Sequence, residues 1–129
     1  MTRESINVQY PSLDTTESVA SVAVTKKAVD VSKGITISDV FSNKNNSLMI
    51  IIENTANAAS STTIKAGTAY PNSMLGDITV SLAKGVSAIQ LQDLSRFEKT
   101  DGSIDLDFGS GFTGNIYALA KWAGVRDVV

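Results

Sequence analysis

The segment Ile104-Asp105-Leu106-Asp107-Phe108 alternates apolar and acidic side chains without a break. Successive side chains of a β-strand point to opposite faces, so this period of two predicts a strand with one buried face. Ile78-Thr79-Val80-Ser81-Leu82 repeats the pattern, and Lys84-Gly85 is typical of a turn that leads into Val86–Leu91. We therefore expect a β-hairpin over residues 78–91 and a largely β fold.

Much of the remaining chain divides into short apolar runs separated by turn residues. Together with the segments above, the predicted strands are 19–24, 28–31, 35–41, 48–52, 62–66 and 115–122. Eight or nine strands at roughly ten-residue spacing predict an all-β fold, an antiparallel β-sandwich of jelly-roll or immunoglobulin-like type. The unbroken aliphatic run Leu48–Ile52 predicts a central strand covered on both faces. Residues 93–97 suggest one helical or 3₁₀ turn between the sheets.

The N-terminal residues differ in character from the rest. Residues 1–18 are mostly polar, which predicts an extended N-terminal arm lying along its own domain or a neighbour's, followed by a single β-sandwich domain over 19–129. Apolar residues spaced irregularly along the arm are candidates for an interface with another subunit. A tryptophan near the C-terminus is either a core residue or an interface anchor. The candidate interface residues are Ile6, Val8, Tyr10, Leu13 and Trp122.

Composition argues against several classes of function. The 129 residues include neither histidine nor cysteine, the usual proton shuttle, thiol nucleophile and soft metal ligands. We therefore expect no enzyme activity and no cofactor. A net charge of −2, with Lys and Arg scattered, indicates no nucleic-acid partner. The run Leu48–Ile52 is too short for a bilayer that needs about 20 residues, and Thr2–Ser5 does not resemble a signal peptide, so we expect no membrane partner.

Three local patterns suggest ligand sites and also have simpler explanations. Gly109–Gly114 matches the dinucleotide-binding pattern G-x-G-x-x-G, but that site needs a helix after the glycines and a strand is predicted there. Asp101, Asp105 and Asp107 are either a solvated strand face or carboxylates that bind a cation together with another loop or subunit. An exposed aromatic row would suit a glycan, and its candidates are Tyr70, Phe112 and Tyr117.

A set of turn and strand motifs carries a resemblance to a known group of proteins. A turn, a Gly-Asp-hydrophobic strand, a glycine hairpin, an Arg-Phe strand end and an Asp-Gly strand follow one another in this order. The matching residues are Ile64–Gly67, Gly76–Leu82, Gly85, Ser95–Phe97, Asp101–Phe108 and Gly114–Ala118. Over this part of the chain the sequence resembles the capsid decoration and head-fibre-type β-sandwich proteins of tailed bacteriophages.

The resemblance implies a structural role in a virion. It implies a non-enzymatic protein that binds the major capsid protein or other virion proteins, located in the virion and forming a homo-oligomer. Extended arms of such proteins add strands to neighbouring subunits, which makes the contact through backbone hydrogen bonds. The alternative is a receptor- or glycan-binding module of a phage tail or fibre.

Overall fold

The computed structural model describes residues 3–9, 12–13, 20–38, 48–68, 72–91 and 94–120. The described segments contain two 3₁₀ turns, Asn72–Leu75 and Leu94–Arg96, and no helix long and apolar enough to span a bilayer. The strands in chain order are β1 Glu4–Asn7, β2 Ser12–Leu13, β3 Ala20–Ser21, β4 Lys27–Ala28, β5 Ile35–Ser38, β6 Leu48–Asn54, β7 Ser60–Ile64, β8 Ile78–Leu82, β9 Gly85–Leu91, β10 Ile104–Phe108 and β11 Gly114–Leu119.

Nine of these strands form two sheets. The five-stranded sheet has the order β1-β5-β10-β7-β8, and the four-stranded sheet has the order β4-β11-β6-β9. All neighbouring strands in the two sheets are antiparallel except β1 and β5, which are parallel. The two-residue strands β2 and β3 pair separately. The predicted all-β fold with mostly antiparallel sheets is confirmed.

One apolar core lies between the two sheets. Ile35 and Leu106 from the five-stranded sheet and Ile50 and Ile116 from the four-stranded sheet are fully buried, and all belong to a single cluster. Because alternate residues of each strand turn inward, the polar residues between them face outward. The buried hydrophobic residues are Val8, Ile35, Ile37, Leu48, Ile50, Ile52, Ile64, Leu82, Leu91, Leu94, Phe97, Ile104, Leu106, Phe108, Phe112, Ile116, Ala118 and Ala120.

The predicted β-hairpin over residues 78–91 is wrong. β8 pairs with β7 in the five-stranded sheet, whereas β9 pairs with β6 in the four-stranded sheet. The Lys84-Gly85 turn therefore carries the chain from one sheet to the other, with Gly85 at φ +112°. The inward residues of both strands still reach the same core, which is why the alternation of the two strands is correct although their pairing is not.

Three other strand predictions also need correction. β6 is central in its sheet, as expected, but only its inner face is covered, since Met49 is 38% exposed and Ile51 is half-buried. Among the described residues, no further layer packs on that outer face. The strands expected at 19–24 and 28–31 are reduced to Ala20–Ser21 and Lys27–Ala28.

Residues 3–9 close one flank of the two sheets. After β1 the chain leaves the five-stranded sheet: the Gln9 amide donates to the Ala118 carbonyl (2.9 Å) and the Ala120 amide donates to the Gln9 carbonyl (3.1 Å) in the other sheet. On the same flank, Lys27 of β4 lies 3.6 Å from Glu4 of β1. The segment Arg3–Gln9 thus runs along its own domain and holds the two sheet edges together.

Candidate interaction surface

The structure turns two of the predicted interface residues toward the core. Val8 is only 6% exposed, and Ile6 is half-buried and packs against the core beside it, so neither side chain projects from the closed flank. Leu13 forms part of β2 and pairs with Ala20. Tyr10 and Trp122 lie outside the described residues. The five residues are therefore not brought together as one exposed patch among the parts of the chain that the structure describes.

Asp105 and Asp107 lie on the outer face of the five-stranded sheet, where Arg3 binds both. Arg3 Nη1 donates to Asp107 Oδ1 and, at 2.9 Å, to the backbone carbonyl of Leu106, while Nε lies 3.5 Å from Asp105 Oδ2. The hydrogen bond to Asp107 is the main reason that the pKa of Arg3 is raised above its ordinary value. Because the guanidinium binds two carboxylates of β10, it holds the N-terminal residues against the outer face of that strand.

Asp105 has two further partners within the chain. Lys99 Nζ lies 3.0 Å from its Oδ1, and the Thr36 hydroxyl donates to the same oxygen at 2.8 Å. The face expected to be solvated or to bind a cation therefore carries basic groups of the protein itself. Those groups balance the negative charge that would attract a cation.

Asp101 is separate from this pair and stabilises a turn. Its Oδ1 accepts hydrogen bonds from the Ser103 hydroxyl and, at 3.1 Å, from the Ser103 backbone amide. These two bonds, the hydroxyl first, lower the pKa of the Asp101 carboxyl. Within the described segments, no group of three or more acidic, histidine or cysteine side chains is arranged to hold a metal ion.

The outer face of the five-stranded sheet is polar throughout its described strands. Hydroxyl groups dominate it, and those of Thr63 and Thr79 are 3.0 Å apart across β7 and β8. We call this surface the polar face. It comprises Ser5, Asn7, Thr36, Ser38, Ser61, Thr63, Thr79, Ser81, Asp105 and Asp107.

The outer face of the four-stranded sheet is mainly apolar. Met49 lies between Leu119 and Gln90, and Ile51 lies between Tyr117 and Ala88, so rows of side chains cross the sheet. Val86 at one end is 68% exposed. We call this surface the apolar face, defined by Met49, Ile51, Val86, Ala88, Tyr117 and Leu119. Contiguous exposed apolar surface on a folded domain is typical of an interaction site.

The candidate aromatic row for a glycan is not formed as expected. Phe112 is 2% exposed, and its ring centroid lies 4.7 Å from that of Phe108. Phe112 is thus a core residue at the end of β10 and β11. Tyr117 is half-buried within the apolar face, and Tyr70 lies outside the described residues. The strand β11 begins at Gly114, which confirms that the glycine-rich segment leads into a strand and not into a dinucleotide-binding helix.

Two residues that matter for this arrangement were not identified from the sequence. Arg3 meets Asp107 across 104 positions of the chain, and Gln9 pairs its side-chain amide with the backbone of Thr25 through two bonds of 2.9 Å. Neither lies in a local motif, because each acts on a partner that only the folded topology brings near. Comparison with known proteins finds no family model, no curated protein and no solved structure that matches the chain.

Proposed function

We propose that this protein is a non-enzymatic structural protein of a tailed-phage virion, which binds the capsid as a decoration or head-fibre attachment protein. The observation that carries the proposal is the contrast between the two outer faces of the sheets. One is covered by hydroxyl groups and ion pairs. The other has one such pair, Lys26–Glu53, and otherwise exposes mainly apolar side chains such as Met49 and Val86. Such a molecule has one side suited to water and one suited to another protein.

The energetics favour covering the apolar face with a protein surface. Removing apolar area from water contributes about 25 cal/mol per Å². The apolar face consists of strand residues whose backbone is already hydrogen-bonded within the sheet. Docking there therefore requires little ordering of the chain, and the entropic cost of binding is reduced. The occupant we propose is the outer surface of the major capsid protein.

Several finer expectations belong to the same proposal. The virion is the location, the functional form is a homo-oligomer, and Tyr10, Leu13 and Trp122 supply additional contacts, whereas Ile6 and Val8 pack toward the core. A jelly roll and an immunoglobulin-like sandwich would each present two outer faces of this kind, so the docking proposal applies to both.

The test is co-sedimentation with capsids assembled from the major capsid protein encoded in the same genome as this chain. Met49→Lys places a charge in the centre of the apolar face and should reduce the bound fraction at least tenfold. Ser81→Lys is the matched control, since it adds the same charge to an exposed strand position on the polar face. Equal binding by the two variants, or absence of wild-type protein from the capsid pellet, would contradict the proposal.

A further inference from the structure

The flank opposite residues 3–9 is open. β8 is the last strand of the five-stranded sheet and β9 the last strand of the four-stranded sheet, and the two lie on the same side. Among the described residues, no strand pairs with the outer edge of either. An edge strand presents backbone amide and carbonyl groups that can bind another strand.

An apolar groove of about 380 Å³ runs along this open flank. Its walls include Ile78 and Val80 of β8 and Ile89 and Leu91 of β9, and Ile64 and Phe97 lie deeper. Leu75, on the rim, is 63% exposed. Ile78 and Val80 of β8 and Ile89 of β9 are thus left half-buried, although inward-facing residues of the central strands such as Ile50 and Leu106 are fully buried.

The sequence of β9 suits pairing with a second copy of itself. Gly85-Val86-Ser87-Ala88-Ile89-Gln90-Leu91 contains neither a charged residue nor proline, the usual means of blocking an edge. When two copies pair antiparallel about Ala88, Val86 of one lies opposite Gln90 of the other, and the small Ala88 side chains meet at the two-fold axis. No like charges face each other in this register.

The flanking charges also match. The sequence has Lys84 directly before the strand and Asp93 two positions after it. An antiparallel pair brings the beginning of one strand to the end of the other, so Lys84 of one copy comes to the end of β9 in the other, from which the sequence continues toward Asp93.

We propose that β9 pairs antiparallel with β9 of a second copy, joining the two four-stranded sheets into one continuous sheet. The pairing covers the groove with the inward-facing Ser87 and Ile89 of the second copy, and it merges the two apolar faces into one surface. The inference identifies the self-association surface of the homo-oligomer and, in that respect, rests on the proposed function.

The first experiment uses the absence of cysteine in the chain. Opposite residues of an antiparallel pair have Cα atoms about 4.5–5.5 Å apart, within the range a disulfide spans. Ala88→Cys should therefore give a crosslinked dimer under mild oxidation. Ser110→Cys, exposed in the turn before β11, should stay largely uncrosslinked at the same protein concentration. Equal crosslinking of the two variants would overturn the proposed pairing.

The second experiment separates pairing from folding. Light scattering should report twice the single-chain mass for the wild type, and the single-chain mass for Ala88→Lys and Ala88→Glu, because like charges then meet at the axis. An equimolar mixture of the two variants should recover the dimer mass. A wild type of single-chain mass, or a dimer that persists in Ala88→Lys alone, would overturn the proposal.

Capsid co-sedimentation distinguishes this inference from the proposed function. A single-chain wild type that still binds capsids would refute the β9 pairing and leave the capsid-binding function supported. A dimer that does not co-sediment with capsids would support the β9 pairing and refute the proposed capsid-binding function.

Discussion

Asn54, at the end of β6, donates a hydrogen bond of 3.1 Å from its side-chain amide to the backbone carbonyl of Leu82, at the end of β8. The bond joins the two sheets at a point where Asn54 is only 2% exposed. Its Nδ2 also donates to the Ala58 carbonyl at 3.2 Å, and its Oδ1 accepts from the Ala56 amide at 3.0 Å. One buried amide thus shapes the loop after β6 and ties that loop to the opposite sheet.

Asn54→Ala should lower the free energy of unfolding by about 2 kcal/mol, because the Leu82 carbonyl then remains buried without its partner. Urea unfolding followed by circular dichroism measures the loss. Asn57→Ala is the control: Asn57 is exposed in the same loop and accepts only a 3.4 Å contact from Lys84, so its replacement should change stability by less than about 0.5 kcal/mol. If both variants lost the same free energy of unfolding, the Asn54–Leu82 hydrogen bond between the sheets would not be a specific source of stability.

The occupied carboxylates on the polar face lead to a prediction about metal ions. Because Arg3 and Lys99 already bind Asp105 and Asp107, millimolar Ca²⁺ should leave the melting temperature of the wild type unchanged. Arg3→Met should itself destabilise the protein by about 1–2 kcal/mol, since it removes the ion pairs with Asp105 and Asp107 and the bond to the Leu106 carbonyl.

Differential scanning fluorimetry with and without Ca²⁺ measures both effects. A Ca²⁺-dependent rise in the wild-type melting temperature that disappears in Asp107→Asn would mean that these carboxylates bind the cation in spite of Arg3. Unchanged stability of Arg3→Met would mean that the contacts of Arg3 with β10 contribute nothing to the free energy of unfolding.

Two glycines of the same turn should respond differently to alanine. Both Gly111 (φ +85°) and Gly114 (φ +152°) adopt a backbone conformation that favours glycine. A Cβ at Gly111 would meet no atom within 4 Å, whereas a Cβ at Gly114 would overlap the Glu53 carbonyl of the neighbouring strand β6. Gly111→Ala should cost about 1 kcal/mol, and Gly114→Ala about 3 kcal/mol or more.

Chemical denaturation of the two variants side by side measures the difference, and circular dichroism checks that each retains its β-sheet signal. Similar stability of the two would show that β11 and β6 can separate enough to admit a Cβ. A Gly114→Ala variant that is insoluble while Gly111→Ala folds normally would agree with the predicted overlap.

Within the alternating strands, the sequence was sufficient to predict which residues face the core but not which strands pair. Ile78–Leu82 and Gly85–Leu91 have the same alternation whether they form a hairpin or belong to opposite sheets, because both arrangements bury the same side chains. The sequence of β6 shows no alternation of apolar and polar residues, because Met49 and Ile51 on its outward face are also apolar. An apolar outward face has no separate signature in a single sequence.

Local sequence patterns also could not predict the polar contacts between residues far apart in the chain. Asp105 and Asp107 could be identified as a pair of outward carboxylates, yet their partner Arg3 lies at the other end of the chain. Phe112, considered for an exposed row, is buried because the turn after β10 folds its ring onto Phe108. Phe108, by contrast, is buried as the alternation of Ile104–Phe108 predicts, since alternation is a local property.

Acid should destabilise the protein through Asp77. The Ala66 backbone amide and then Lys65, 2.9 Å away, donate to its carboxylate and lower its pKa in the folded state. Between the folded and unfolded pKa values the unfolded chain binds more protons, so stability rises with pH. The contribution is complete above the ordinary aspartate pKa of about 3.9 and is lost as pH falls through the lower, folded value.

Asp77→Asn should therefore be less stable than the wild type at neutral pH, and this difference in stability should shrink as pH falls through the lowered pKa of the folded Asp77. Lys65→Met is the informative control. It retains the Ala66 amide, the larger cause of the shift, and should keep most of the acid sensitivity. Urea midpoints measured from about pH 7 to pH 2 provide the comparison. A constant difference between Asp77→Asn and the wild type across that range would assign the acid sensitivity to carboxylates other than Asp77.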